Sequence, residues 1–234
     1  MFLGHFGAAL AAKPLQPRVS LGTLILAAQL ADILWPTLLL LGIERVEIRP
    51  GLLAASPFDF VYYPFSHSLL VELLLGLALG LAYGLLRRNW RGALLVGLLV
   101  PSHWLLDLVV HRPDLPFYPG PSPKVGLGLW HSLPATLVLE LGLLAAGLWV
   151  YGRATRPRNR TGRFALWGLV AFLVLSYLGS ELGPPPASVP ALAWGGQLLW
   201  LTVALGYWAD ANREAVGREA GGGSPAARLN APGV

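Results

Sequence analysis

Three residues in one apolar run, His103, Asp107 and His111, recur at intervals of four. On an α-helix that spacing keeps all three on one face, with a drift of about 80° from first to last. Imidazoles and carboxylates on a shared face can converge on a metal ion, whose ligands must approach to about 2 Å. The same face can instead carry a buried hydrogen-bond network with no ion. Asp32 lies in the middle of another apolar run, where inserting an acid costs roughly 2.5 kcal/mol or more. A cation offsets that cost, and so does pairing with a buried His or Arg. His67 and His131 open two further runs, and His5 sits in an apolar segment at the N-terminus. Each is either a ligand or, taken singly, a hydrogen-bonding residue at a membrane interface or a chain terminus. The chain has no cysteine, so any ion must be held by His, Asp or Glu, a donor set suited to zinc, manganese or iron.

Serine accompanies three of the histidines, in Ser66-His67-Ser68, Ser102-His103 and His131-Ser132. Their hydroxyls can orient ring N–H groups or bind a substrate oxygen; helix capping is the alternative for Ser66 and Ser132. Sequence neighbours do not face each other on a helix, so these dipeptides do not argue for a nucleophilic triad. Asp114, in His111-Arg112-Pro113-Asp114, can close the site from a loop, and Arg112 and Lys124 can draw a phosphate to its mouth; a solvated loop explains all three equally well. Glu72 falls about 140° around the helix from His67, and Glu140 lies on the face opposite His131. Neither is assigned a role.

These residues need membrane-spanning elements to hold them. Of 234 residues, 55% are hydrophobic and 12% charged, about half the charged fraction of a soluble domain. Six runs approach the ~20 apolar residues a spanning helix needs: Ser20–Ile43, Ser66–Leu86, Gly92–Val110, Leu129–Tyr151, Phe164–Gly183 and Val189–Ala209. The predicted fold is therefore an all-α polytopic bundle. Met1–Ala12 reaches only about 18 Å as a helix, too short to span, and is read as a re-entrant or interfacial helix. The first long run exceeds a signal-peptide core and is read as an uncleaved span.

With the N-terminus in the cytoplasm, the inner loops receive 13 of the 17 basic residues, leaving Arg45, Arg49, Arg112 and Lys124 outside. This topology accounts for the net charge of +5 without a nucleic-acid partner. Both termini are then cytoplasmic, and the histidines of the second, third and fourth spans face the outer half. Residues 1–210 read as one transmembrane domain, with the polar residues concentrated in 1–144 and the spans of 164–209 as scaffold. Residues 211–234 read as a disordered cytoplasmic tail. The loop from Pro113 to Gly128 holds five prolines among sixteen residues and is read as irregular but stiff.

Four short stretches carry a family resemblance: Gly4-His5-Phe6, Leu30-Ala31-Asp32-Ile33, Ser66-His67-Ser68-Leu69 and Ser102-His103-Trp104-Leu105-Leu106-Asp107. Over about Met1 to Leu144 the chain resembles the bacterial inner-membrane family of metal-dependent hydrolases, the YdjM/YbcI-like group. That group is distantly similar to zinc-dependent phospholipase C and the related single-strand nucleases. The resemblance implies that Asp32, His67, His103 and Asp107 bind one metal, that His111 and His131 contribute to a second, and that His5 joins the cluster. Two departures stand out. The soluble enzymes place a Glu one turn past the last zinc His, where this chain has Ala135, and they use a free N-terminal amine that Met1 does not obviously supply.

The reading that follows is a membrane-embedded hydrolase with one or two divalent ions, zinc foremost. Its substrate is a phosphoester of a lipid or lipid-linked molecule at the outer leaflet, and Asp32 or Asp114 is the proton acceptor. Transport of a metal ion or proton is the alternative, since intramembrane His and Asp also serve as relays. So is a membrane regulator without catalysis.

Overall fold

The computed structural model describes residues 1–216. The chain opens with a short helix, α1 (Leu3–Ala12), then a bent pair, α2 (Leu21–Ala28) and α3 (Leu30–Leu40). An antiparallel hairpin follows, β1 (Arg45–Ile48) with β2 (Phe58–Tyr62). One helical turn, α4 (Pro64–His67), leads into α5 (Leu69–Arg87), which folds back into α6 (Trp90–Val110). A two-residue ladder, β3 (Leu115–Pro116) with β4 (Lys124–Val125), braces the proline-rich loop before α7 (Leu133–Ala154). Then come β5 (Thr155–Pro157), α8 (Arg160–Leu182), α9 (Val189–Gly196), α10 (Leu199–Ala211) and β6 (Arg213–Ala215).

Helices α5, α6, α7 and α8 and the stretch α9–α10 are each long and apolar enough to cross a membrane, and the pair α2–α3, bent by 57° at its break, is a sixth when counted as one broken span. The fold is the all-α polytopic bundle predicted from hydropathy. Its rim is apolar, as a lipid solvent demands: Leu73, Leu77, Leu81 and Leu85 of α5 are all exposed.

Three expectations change. The first span is not one helix. Gln29 leaves the helical region (φ −107°, ψ 9°), and its buried side-chain amide donates to the Phe2 carbonyl at 3.4 Å. Of the two readings of the N-terminal helix, re-entrant or interfacial, burial removes the interfacial one. Leu3, His5, Phe6 and Leu10 are buried, and α1 lies against α7 so closely that a Cβ on Gly147 would strike the Gly7 backbone and one on Gly7 would strike the Leu143 carbonyl. A helix too short to span thus fills the bundle interior. The tail begins later than expected. α10 runs to Ala211, and β6 pairs with β5, Thr155 opposite Ala215. Buried Arg213 donates to the carbonyls of Thr155 (3.1 Å) and Gly162 (3.0 Å). The rest of the expected tail, 217–234, lies outside the described residues.

The late helices position the early ones. α9 packs along α3 and α10 along α2, so they clamp the bent pair that carries Asp32. At the other end of the bundle, buried Lys13 meets Asp210 at 2.6 Å, and the Tyr151 hydroxyl donates to the same carboxylate at 2.9 Å. The larger apolar core includes Leu3, Phe6, Leu24, Val96 and Leu169. A smaller one, with Leu39, Val46, Phe60, Tyr63 and Trp104, lies under the hairpin.

Candidate metal centre

Asp107 stands at the middle of the polar cluster. Its Oδ2 has three imidazole Nε2 atoms around it, those of His103 (3.3 Å), His111 (3.6 Å) and His67 (3.8 Å). Its Oδ1 meets His5 Nε2 at 3.1 Å and accepts a hydrogen bond from the Met1 amine at 2.5 Å. Asp32 Oδ1 completes the group, 3.3 Å from His67 Nε2 and 3.7 Å from His103 Nε2. The four histidines and Asp107 are all but inaccessible, whereas the Asp32 side chain is 20% exposed.

Each of three rings is held from behind. His103 Nδ1 donates to the Ala28 carbonyl at 2.9 Å. His111 Nδ1 donates to Asp114 Oδ1 at 2.9 Å. His67 Nδ1 faces Ser66 Oγ at 2.7 Å, and that hydroxyl donates to Glu44 Oε2 at 2.6 Å. A nitrogen that donates to a carbonyl or carboxylate carries a ring proton, so in the neutral imidazole the other nitrogen presents a lone pair. All three Nε2 lone pairs are therefore aimed at carboxylate oxygens. Such an arrangement repels itself unless a proton or cation lies between, and His103 Nε2 is a buried atom with no hydrogen-bond partner. The separations suit an ion: donors about 2.0–2.1 Å from a tetrahedral metal lie about 3.3–3.4 Å from each other. Two triads have ligand atoms within 4.8 Å of one another, His5–His103–Asp107 and Asp32–His67–His103.

The sequence spacing works because α6 puts His103 and Asp107 on its inner face, with His111 just past its end. The other members of the cluster, His5, Asp32 and His67, come from α1, α3 and α4. His5 stacks on His103, ring centroids 3.6 Å apart and planes at 10°. Glu140 fixes α1 by accepting from the amides of Phe2 (3.0 Å) and Gly4 (2.9 Å), which a helix start leaves unpaired. Glu72 accepts from the Trp104 amide at 3.1 Å. Both unassigned acids thus hold backbone near the cluster.

Several expected residues lie elsewhere. His131 is exposed, and its Nδ1 bonds the carbonyl of its own turn, Gly128 O, at 2.8 Å; it does not join the cluster. Ser68 is buried and caps α5, accepting from Val71 N. Ser66 orients His67 and has no free face for substrate. Ser102 bonds the Leu99 carbonyl and Ser132 caps α7. Asp114 is not a free base: it receives His111, Arg112 Nε (3.0 Å) and the Tyr63 hydroxyl (3.2 Å). Burial opposes its charge, but those hydrogen bonds and the His111 and Arg112 charges outweigh it and hold its carboxyl below the usual range. Burial first, then the nearby acids, push the Tyr63 phenol well above its usual range, so it stays a donor. Arg112 is taken up by Asp114 and Asp59. Lys124 stands exposed on β4 and has no carboxylate partner among the described residues.

The residues that the spacing did not point to are the outer partners: Glu44, Tyr63, Asp59 and the Ala28 carbonyl. The Met1 amine also reaches the cluster, contrary to expectation. Aromatic rings pack on the His111 ring, Phe60 of the hairpin at 4.9 Å and Trp130 of the turn before α7 at 4.3 Å. Trp35 stands edge-on to His67 at 6.3 Å. No protein-family model, curated protein or solved structure matches the chain, so the family resemblance rests on the four short sequence stretches alone.

Proposed function

We propose that the chain is a membrane-embedded metal-dependent hydrolase acting on a phosphoester of a lipid or lipid-linked molecule. Zinc is the first candidate ion, held by Asp32, His67, His103 and Asp107, with room for a second beside His5. The observation that carries the reading is the set of three imidazoles, each with Nδ1 held from behind and Nε2 turned toward Asp107. A divalent ion there would lower the pKa of a bound water toward about 7 and polarise a phosphoryl oxygen. The chain's own groups do the rest. Asp107 and the imidazoles fix the donor positions before substrate arrives, which limits reorganisation. Asp32, the most accessible of the acids at 20% exposure, is placed to take a proton. The aromatic rings packed on His111 keep bulk water from the centre.

In the bacterial inner membrane, with both termini cytoplasmic, the basic-residue bias turns this centre toward the outer face and its leaflet. The test is metal analysis of detergent-purified protein together with hydrolysis of a lipid phosphoester panel. Stoichiometric zinc that is lost in Asp107→Ala, with hydrolysis lost in parallel, is expected. Wild-type protein without bound metal would sink the reading.

The bend at Gln29 favours a second reading, transport of a metal ion or proton, because broken helices line ion sites in transporters. Against it, Phe6, Leu10, Leu24, Val96 and Val100 are packed in one buried apolar cluster within the bundle, which leaves no polar path through these residues. Zinc or proton flux into liposomes carrying the protein would favour transport; a metal-bearing protein without flux would favour the hydrolase. A regulatory role predicts instead that His→Ala changes leave function intact.

A further inference from the structure

We propose a second site, at the opposite end of α6 from the metal centre: a cleft between Arg18 and Arg91 that binds a phosphate group, either a phospholipid headgroup or free phosphate. α6 has 21 residues and so places its two ends about 31 Å apart. The cleft has a volume of about 500 Å³ and is lined by Gln16, Arg18, Asn89, Arg91 and the end of β6 at Ala215 and Val216. No acid among the described residues lines it. Among the described residues, neither Arg18 nor Arg91 pairs with a carboxylate, whereas Arg49, Arg112, Arg156 and Arg158 all do.

Asn89 supplies the second observation. Its Oδ1 is committed to the α6 start, accepting from Gly92 N at 3.0 Å. Its Nδ2 is buried and has no acceptor among the described residues, an arrangement proteins avoid unless a ligand or water completes it. Two arginines and an asparagine lining a cleft with no described acid are the complement of a phosphate, whose oxygens accept several charge-assisted hydrogen bonds at once. Topology alone asks only for basic residues somewhere on this face. It does not ask that Arg18, from the loop after α1, and Arg91, in the first turn of α6, line one cleft together with Asn89. The Lys13 ammonium fixes that loop by donating to the Val19 carbonyl at 2.9 Å and pairing with Asp210. The inference is independent of the metal centre.

The experiment is native mass spectrometry of the full chain in detergent, titrated with phosphatidylglycerol and, separately, with phosphatidylcholine. Inorganic phosphate is added as competitor. Wild type is expected to retain phosphatidylglycerol in excess of phosphatidylcholine. Arg18→Gln/Arg91→Gln is expected to weaken retention about tenfold. Asn89→Asp keeps the cap acceptor for Gly92 N but puts a carboxylate in the cleft, and is expected to weaken it as much. Arg87→Gln/Arg88→Gln removes equal charge from the same face outside the cleft and is expected to leave retention unchanged. Displacement by millimolar phosphate identifies free phosphate as a competing ligand of the same site; resistance to it identifies the lipid headgroup. Retention by Asn89→Asp equal to wild type, or an equal loss in the Arg87/Arg88 control, overturns the proposal. Circular dichroism and metal content, unchanged in each variant, establish that the fold is intact.

Discussion

The Ala28 carbonyl accepts a hydrogen bond from His103 Nδ1 at 2.9 Å across the α2–α6 interface. In a continuous helix that carbonyl would accept from the Asp32 amide. The bend at Gln29 sends it sideways instead, and the same bend sets Asp32 at the start of α3, beside His67. One backbone irregularity therefore serves two residues of the cluster: it fixes the tautomer of His103 and aims the carboxylate of Asp32. His103 belongs to both potential ligand triads. His103→Ala is accordingly expected to abolish all metal retention, whereas His131→Ala, at an exposed turn, is expected to retain the wild-type metal content. Elemental analysis of the two purified variants checks the pair. Equal loss in both would contradict the geometry.

The partners behind the rings are expected to tune affinity rather than create it. Asp114→Asn weakens the acceptor for His111 Nδ1, and Ser66→Ala cuts His67 off from Glu44. Each is expected to lower zinc affinity about 10- to 100-fold, the usual effect of losing a group that orients a ligand. Competition with a chromophoric chelator measures this directly. An unchanged affinity in both variants would mean that neither ring is a ligand.

Much of this was legible in the sequence, and the reasons are physical. Apolar runs near 20 residues read out as spans because lipid leaves the backbone few alternatives. His103 and Asp107 read out because a spacing of four is a property of one helix. Local signals failed where long-range partners decide. Gln29 looks like one polar residue in a span, and only its reach to Phe2 shows why the helix bends there. The length of the N-terminal helix left it either re-entrant or interfacial, and it is the Gly7–Gly147 contact and Glu140 that draw it into the interior. His131 matched the pattern of a ligand opening a span, but its ring folds back on its own turn. Glu44, in the loop after α3, carries no spacing signal at all.

Glu140 lies in a span without a cationic side chain beside it, and what it holds is the start of α1. Its two oxygens accept from Phe2 N and Gly4 N. Glu140→Ala leaves those buried amides without acceptors, at a cost of about 1–3 kcal/mol, and releases the helix that presents His5. Glu140→Gln keeps one acceptor and is expected to fall between the two. Thermal unfolding in detergent should rank wild type above Gln and Gln above Ala. Zinc stoichiometry in the Ala variant should drop if His5 contributes to a second ion.

The far end of the bundle offers a test of stability separate from the centre. Lys13, only 5% exposed, relies on Asp210 for its counter-charge, and Asp210 also receives the Tyr151 hydroxyl and the Leu21 amide. Removing one partner of such a buried pair strands the other charge. Asp210→Ala is therefore expected to destabilise the fold by about 3–5 kcal/mol. Replacing both partners removes the stranded charge, so Lys13→Met/Asp210→Ala should recover part of that loss. The recovery stays incomplete because Tyr151 and the Leu21 amide still lack their acceptor. A double-mutant cycle on the unfolding midpoint measures the coupling. Metal content should stay at the wild-type level in whatever fraction remains folded, because no ligand of the centre touches this pair.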